Sequence, residues 1–109
     1  MRSLLAICPA GYEALADQDD VWLPHKLSDA CKQLACLTHP TLYAARRAVT
    51  DAQLSPCGLT RLPKGAASFS HALSRNIAPG NTVVLNPAAH AVMARVIAQP
   101  TPLPAFHDW

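Results

Sequence analysis

A chain of 109 residues with a formal charge of +2 fits one small domain, and its scattered charges form no basic stripe for nucleic acid. Half of its residues are hydrophobic and 15% are charged, which excludes a disordered tail. Twenty residues are Ala and 6% are aromatic, so the core must be assembled from small side chains that each bury little area.

At the start of the chain, Arg2 precedes the apolar run Leu4-Leu5-Ala6-Ile7-Cys8, which invites comparison with a signal peptide or a lipoprotein cleavage site. Five apolar residues fall short of the about 7–15 that a signal core needs, and Ile7 is too bulky to precede a lipidated cysteine. The run predicts instead the end of a helix closed by Pro9-Ala10-Gly11. Nothing approaches the roughly 18 apolar residues of a membrane span. The expected location is therefore cytoplasmic, in solution or peripherally at the inner face of the membrane. Cys8, Cys31, Cys36 and Cys57 show no zinc-knuckle or redox-pair spacing and are expected to be reduced and structural.

Residues 12–16 form a strand candidate, weak by propensity because of its Ala and Glu. Asp17-Gln18-Asp19-Asp20 predicts a loop, and Pro24 sits where a first helical turn belongs. Leu27, Cys31, Leu34 and Leu37 then trace one face of an amphipathic helix, ended by His39-Pro40. A second strand is expected over 41–49, and a loop over 50–67, with Pro56, Gly58, Pro63 and Gly65 as breakers. One or two helical turns follow over 68–75. Gly80 precedes a third strand over 82–85, and Asn86-Pro87 supplies a capping side chain followed by proline at the first helical position. Ala89, Val92, Met93, Val96 and Ile97 repeat at the spacing of a buried helix face, until Pro100, Pro102 and Pro104 stop it. Short strands alternating with helices predict an α/β layer arrangement.

The stretch richest in chemistry is Asp17-Gln18-Asp19-Asp20-Val21-Trp22-Leu23-Pro24-His25-Lys26-Leu27. Three carboxylates within four residues repel one another unless a cation or hydrogen bonds offset them. Hard oxygen donors of this kind suit Mg²⁺ or Mn²⁺, and such ions bridge protein carboxylates to a diphosphate. A solvated acidic turn or a helix cap has the same composition. Trp22 favours the first possibility, because a large apolar anchor fixes the path of the loop.

This stretch, with residues 12–16 before it, resembles the Asp-x-Asp region of family 2 glycosyltransferases. More narrowly, it is similar to the rhamnosyltransferase-like branch, which carries an Asp-Gln-Asp-Asp-x-Trp signature. Three further stretches fit in order. Pro40-Thr41-Leu42-Tyr43 resembles the strand after the helix, and Asn76-Ile77-Ala78-Pro79-Gly80-Asn81-Thr82-Val83-Val84-Leu85-Asn86 resembles the Gly-Asn-Thr strand of the acceptor side. His107-Asp108-Trp109 resembles the His-Asp-Trp motif that carries the catalytic base. The family's nucleotide-binding half, with its Thr-Tyr-Asn-type loop and Asp-Asp site, is not in this sequence. Ala44-Ala45 also replaces a small-polar or acidic pair seen in many relatives. The resemblance thus implies that residues 1–109 are a central slice, roughly half, of a GT-A type (Rossmann-like) catalytic sandwich.

What the resemblance implies for the residues is specific. Asp17 contacts the ribose of a nucleotide-sugar donor, Asp19 binds Mn²⁺ or Mg²⁺ on its diphosphate, and Asp20 supports that metal. Asp108 takes the proton of the acceptor hydroxyl as the sugar transfers with inversion, while His107 is a neighbour that packs or caps. Asn81 either binds the acceptor or satisfies a turn. Lys26 and Arg46-Arg47 either meet the diphosphate or stay solvated. His25, His39, His71 and His90 lack metal-ligand spacing, Ser68, Ser70 and His71 form no nucleophile elbow, and no Gly-rich phosphate loop occurs.

The expected function is that of a piece of a sugar-transferring enzyme, inactive alone. The sugar suggested by this branch is rhamnose, and the acceptor a surface polysaccharide or lipid-linked glycan. The alternative is a non-catalytic remnant or interaction fragment with an α/β fold, and a small metal-binding module is a third, weaker reading.

Overall fold

The computed structural model describes residues 11–61, 64–65 and 67–100. Expectations for Cys8, for the helix end at Leu4 to Cys8, and for His107, Asp108 and Trp109 lie outside the described residues. In chain order the elements are β1 (Glu13–Ala14), α1 (Lys26–Leu34), β2 (Leu42–Ala44), β3 (Ala48–Thr50), β4 (Pro56–Leu59) and α2 (Phe69–Ser74). A 3₁₀ turn (Gly80–Thr82), β5 (Val83–Leu85) and α3 (Pro87–Ala98) follow.

Val83, Val84 and Leu85 are all buried, and this density of β-branched and apolar side chains makes β5 the central strand. β1 and β2 flank it, both antiparallel: Ala14 and Tyr43 stand opposite Val84 on its two sides. Side chains alternate across the strand. Val84 packs with Ala30 and Leu34 of α1, joined by Ala14 and Tyr43, while Val83 and Leu85 pack with Ala89 of α3 and with Ala78. Helices thus cover both faces of a small antiparallel sheet, a mixed α/β arrangement.

The expected strand over 41–49 is in fact two. After Ala44 the chain leaves the sheet, and β3 pairs antiparallel with β4 in a separate hairpin, so the expected loop over 50–67 contains a strand. The turn between them is built by Asp51, whose Oδ1 accepts from the backbone N–H of Gln53 and of Ser55, both at 2.9 Å. Leu54 completes it at φ 62°, in the left-handed region. Pro56 and Gly58, which read as breakers, lie inside β4, and the pairing register shifts between Val49 and Thr50.

Two predicted helix faces also need correction. In α1 the buried pair is Ala30 and Leu34, whereas Leu27 is 44% exposed and Leu37 lies beyond the last turn. Ala30 is small enough to let the helix backbone come close to Val84, and its i, i+4 partner Leu34 completes the contact. In α3, Ala89 and His90 are buried, Val92 and Ile97 are half-buried, and Met93 and Val96 are exposed. The reason is length: twelve helical residues run about 18 Å, but three strand residues cover only about 10 Å. The expected start of α3 holds, since the Asn86 side chain accepts from Ala89 N–H and Pro87 is the first helical residue. His90 Nδ1 meets Glu13 Oε2 at 2.7 Å, tying α3 to β1. Cys31, Cys36 and Cys57 are free thiols; Cys31 is half-buried, while Cys36 and Cys57 are exposed and outside the core.

Candidate functional site

β1 delivers the chain directly into the acidic loop. Asp17, Asp19 and Asp20 are all exposed, and one carboxylate oxygen from each lies within 4.8 Å of the others. The loop then turns through Val21 to His25, where Lys26 N–H donates to Leu23 O at 3.0 Å and opens α1. Asp29 within α1 stands 3.7 Å from Lys32 and 4.0 Å from His25, contacts that at such exposure contribute little.

The far partner of this loop is the 3₁₀ turn. Its shape is set by Thr82, whose N–H and hydroxyl both donate to Pro79 O, at 2.8 and 2.7 Å. This brings Asn81 against the loop: its Nδ2 donates to Asp20 Oδ2, and its carbonyl oxygen accepts from Lys26 Nζ at 2.6 Å. The same ammonium sits 3.5 Å from the centroid of the Trp22 ring, a cation–π contact. Burial pushes the Lys26 ammonium below the ordinary lysine value, and the Asp20 carboxylate acts in the opposite direction.

A cleft of about 420 Å³ opens beside this arrangement, lined by Asp19, Asp20, Trp22, Lys26, Tyr43 and Arg47 among others. Asp17 joins the carboxylate group but does not line the cleft. Arg46 also lines it, with its Nε donating to Thr60 O at 2.8 Å. Arg47 gives its backbone N–H to Thr60 Oγ1 at 3.0 Å and lines the same space. Residues of both signs of charge therefore border the cleft, acidic ones from the loop and arginines from the segment after β2.

The donor set is compatible with a hard divalent cation. Three oxygens on one octahedral ion at about 2.1 Å stand about 3 to 4 Å apart, so these three, within 4.8 Å of one another, would draw together to hold it. Asp19 has both oxygens available to such an ion, whereas one oxygen of Asp20 is engaged by Asn81.

The structure gathers Asp17, Asp19 and Asp20 and sets Asn81 against Asp20, a contact the sequence did not predict. Asn81 is buried, and its amide N–H is turned toward the acidic loop. Sequence reasoning missed the joint role of Trp22 and Lys26 in holding Asn81. Their spacing of four residues was the available signal, obscured because Pro24 separates them and only Lys26 is helical. Compared with known proteins, the chain matches no family model, no curated protein and no solved structure.

Proposed function

We propose that this chain is a central part of the GT-A type catalytic domain of an inverting family 2 glycosyltransferase, of the rhamnosyltransferase-like branch. One observation carries the reading: an Asp-Gln-Asp-Asp-Val-Trp loop gathers three carboxylate oxygens within 4.8 Å, and two of these residues, Asp19 and Asp20, line a cleft of about 420 Å³. Helices on both faces of the sheet agree with an α/β catalytic domain. The donor is a nucleotide-sugar, with rhamnose as the sugar, and the acceptor is a surface polysaccharide or lipid-linked glycan at the inner face of the membrane.

In this reading Asp17 meets the donor ribose and Asp19 holds Mn²⁺ or Mg²⁺ at the diphosphate. The ion supplies Lewis-acid neutralisation of charge on the departing diphosphate. Asp108 accepts the proton of the acceptor hydroxyl while that oxygen attacks the anomeric carbon. With one N–H of its amide on Asp20, Asn81 keeps its carboxamide oxygen for an acceptor hydroxyl.

Calorimetry of the chain with Mn²⁺ tests the metal site on which this rests. The chain should bind Mn²⁺, and Asp19→Asn should weaken that binding by about tenfold or more. A chain that takes up no Mn²⁺ would remove the metal role. The second reading, a non-catalytic interaction fragment, draws on the exposure of Leu42 and Leu59, 51% and 60%. It gains if no Mn²⁺ binds while the chain self-associates or holds a partner through those residues.

A further inference from the structure

We infer that Lys26 is a positioning residue for the acidic loop, pinning Trp22 to the 80–82 turn, and that Asp20 is the loop's anchor, leaving Asp17 and Asp19 to face the donor. The inference rests on the glycosyltransferase reading for its consequence and on geometry for its substance.

Lys26 is the first residue of α1, where the positive end of the helix dipole disfavours a cation. Its long side chain also loses rotamer freedom when held in one place. Two contacts offset those costs, the Asn81 carbonyl at 2.6 Å and the Trp22 ring at 3.5 Å, and the negative charge of Asp20 favours the ammonium from further away. Each of these groups belongs to a different part of the loop system. Trp22 lies just after the acidic run, Asp20 within it, and Asn81 on the turn that leads into the central strand.

The path closes on itself. Lys26 holds the Asn81 backbone, Asn81 holds the Asp20 carboxylate through its amide, and Asp20 faces Lys26 electrostatically. A single cation thereby ties the loop to the turn that leads into β5, while Asp19 of that loop lines the cleft. It also lowers the repulsion among three neighbouring carboxylates, which would otherwise drive them apart. Because Asp20 already gives an oxygen to Asn81, it is the least free of the three to turn toward an ion.

Electrostatics makes the test decisive in sign. Removing a positive charge beside a cation site strengthens cation binding by itself, whereas loss of a positioning contact weakens it. Mn²⁺ affinity is read from the free-ion paramagnetic resonance signal of the purified chain. Lys26→Met should weaken it by about tenfold, the scale found when residues that orient ligands are lost. Lys26→Arg, which keeps the cation and its ring contact, should recover most of that loss. Asp20→Asn should cost far less than Asp19→Asn, because an asparagine there can still accept the Asn81 bond.

A second measurement needs no metal. Backbone order parameters from NMR at residues 18–22 should fall from the rigid range of about 0.85 to below about 0.6 in Lys26→Met, with those of β5 unchanged. If Lys26→Met fails to fold, Trp22→Leu takes its place, since it removes the ring while leaving the ammonium. Unchanged order parameters in the loop overturn the positioning role, as does equal or tighter Mn²⁺ binding in Lys26→Met. A loosened loop in a chain that binds no Mn²⁺ upholds the clamp and overturns the metal reading instead.

Discussion

Asn86 uses every hydrogen-bonding position of its amide within the protein. Its Oδ1 accepts from Thr41 N–H at 3.1 Å and from Ala89 N–H at 2.9 Å, and its Nδ2 donates to Leu37 O at 2.9 Å and His39 O at 2.8 Å. The side chain is fully buried, so no water replaces these partners. The sequence shows only the cap to Ala89, because the other three bonds reach back 45 to 49 positions to the segment between α1 and β2. A lost helix cap alone costs about 1 kcal/mol. Asn86→Ala also strands two carbonyls and a second N–H, so its expected cost is about 3 kcal/mol, read from the urea midpoint at constant slope. Asn86→Ser keeps a capping oxygen but is too short for Leu37 and His39. If the serine variant is as stable as the parent, the amide acts as a cap and nothing more.

At the scale of the element, α1 shows how a periodic pattern and a packed face part company. Leu27, Cys31, Leu34 and Leu37 share a stripe, but the helix touches its sheet through Ala30 and Leu34 around Val84. Leu34→Ala is expected to cost about 2–5 kcal/mol, as for deletions in a closed core, whereas Leu27→Ala should cost under about 1 kcal/mol. Chemical denaturation of the two variants decides the matter, and equal losses would restore the original stripe as the packed face. The pattern misled because Ala carries little weight in a hydrophobic stripe, yet a small residue is what a close helix–sheet approach selects. β4 was hidden for a related reason. Pro56 and Gly58 are breakers in isolation, but a two-stranded hairpin tolerates both once Asp51 has set the turn. The start of α3 was legible because capping is local, and the end of its burial was not, because that depends on the length of β5.

Across the whole molecule, the alternation of strands and helices was readable, while strand order and direction were not. β1, β5 and β2 become neighbours through contacts distant in sequence, and no local propensity encodes which edge each strand takes. The site divides the same way. Three carboxylates in four residues announce themselves, but the bond that steadies them joins Asp20 to Asn81 across 61 positions.

The distribution of apolar surface leads to the final prediction. Among the described residues the buried apolar set is Ala30, Leu34, Val83, Val84, Leu85 and Ala89, two of which are alanines. Against it stand exposed Val21, Leu23, Leu42, Leu54, Leu59 and Val96, each at least half exposed. Each large apolar side chain left in water forgoes about 1.5–3 kcal/mol relative to full burial, a sizeable share of the about 5–15 kcal/mol that stabilises an ordinary domain. The Glu13–His90 pair and the saturated Asn86 amide hold the few contacts in register, but polar bonds of this kind contribute little net free energy beyond that. The 109 residues expressed alone should therefore bind a hydrophobic dye, unfold cooperatively but at low temperature, and associate as concentration rises. Dye fluorescence, circular dichroism and sedimentation at several concentrations measure the three properties together. A dye-free monomer that melts as high as an ordinary domain would mean that this small core suffices, and that the exposed apolar residues await no covering surface.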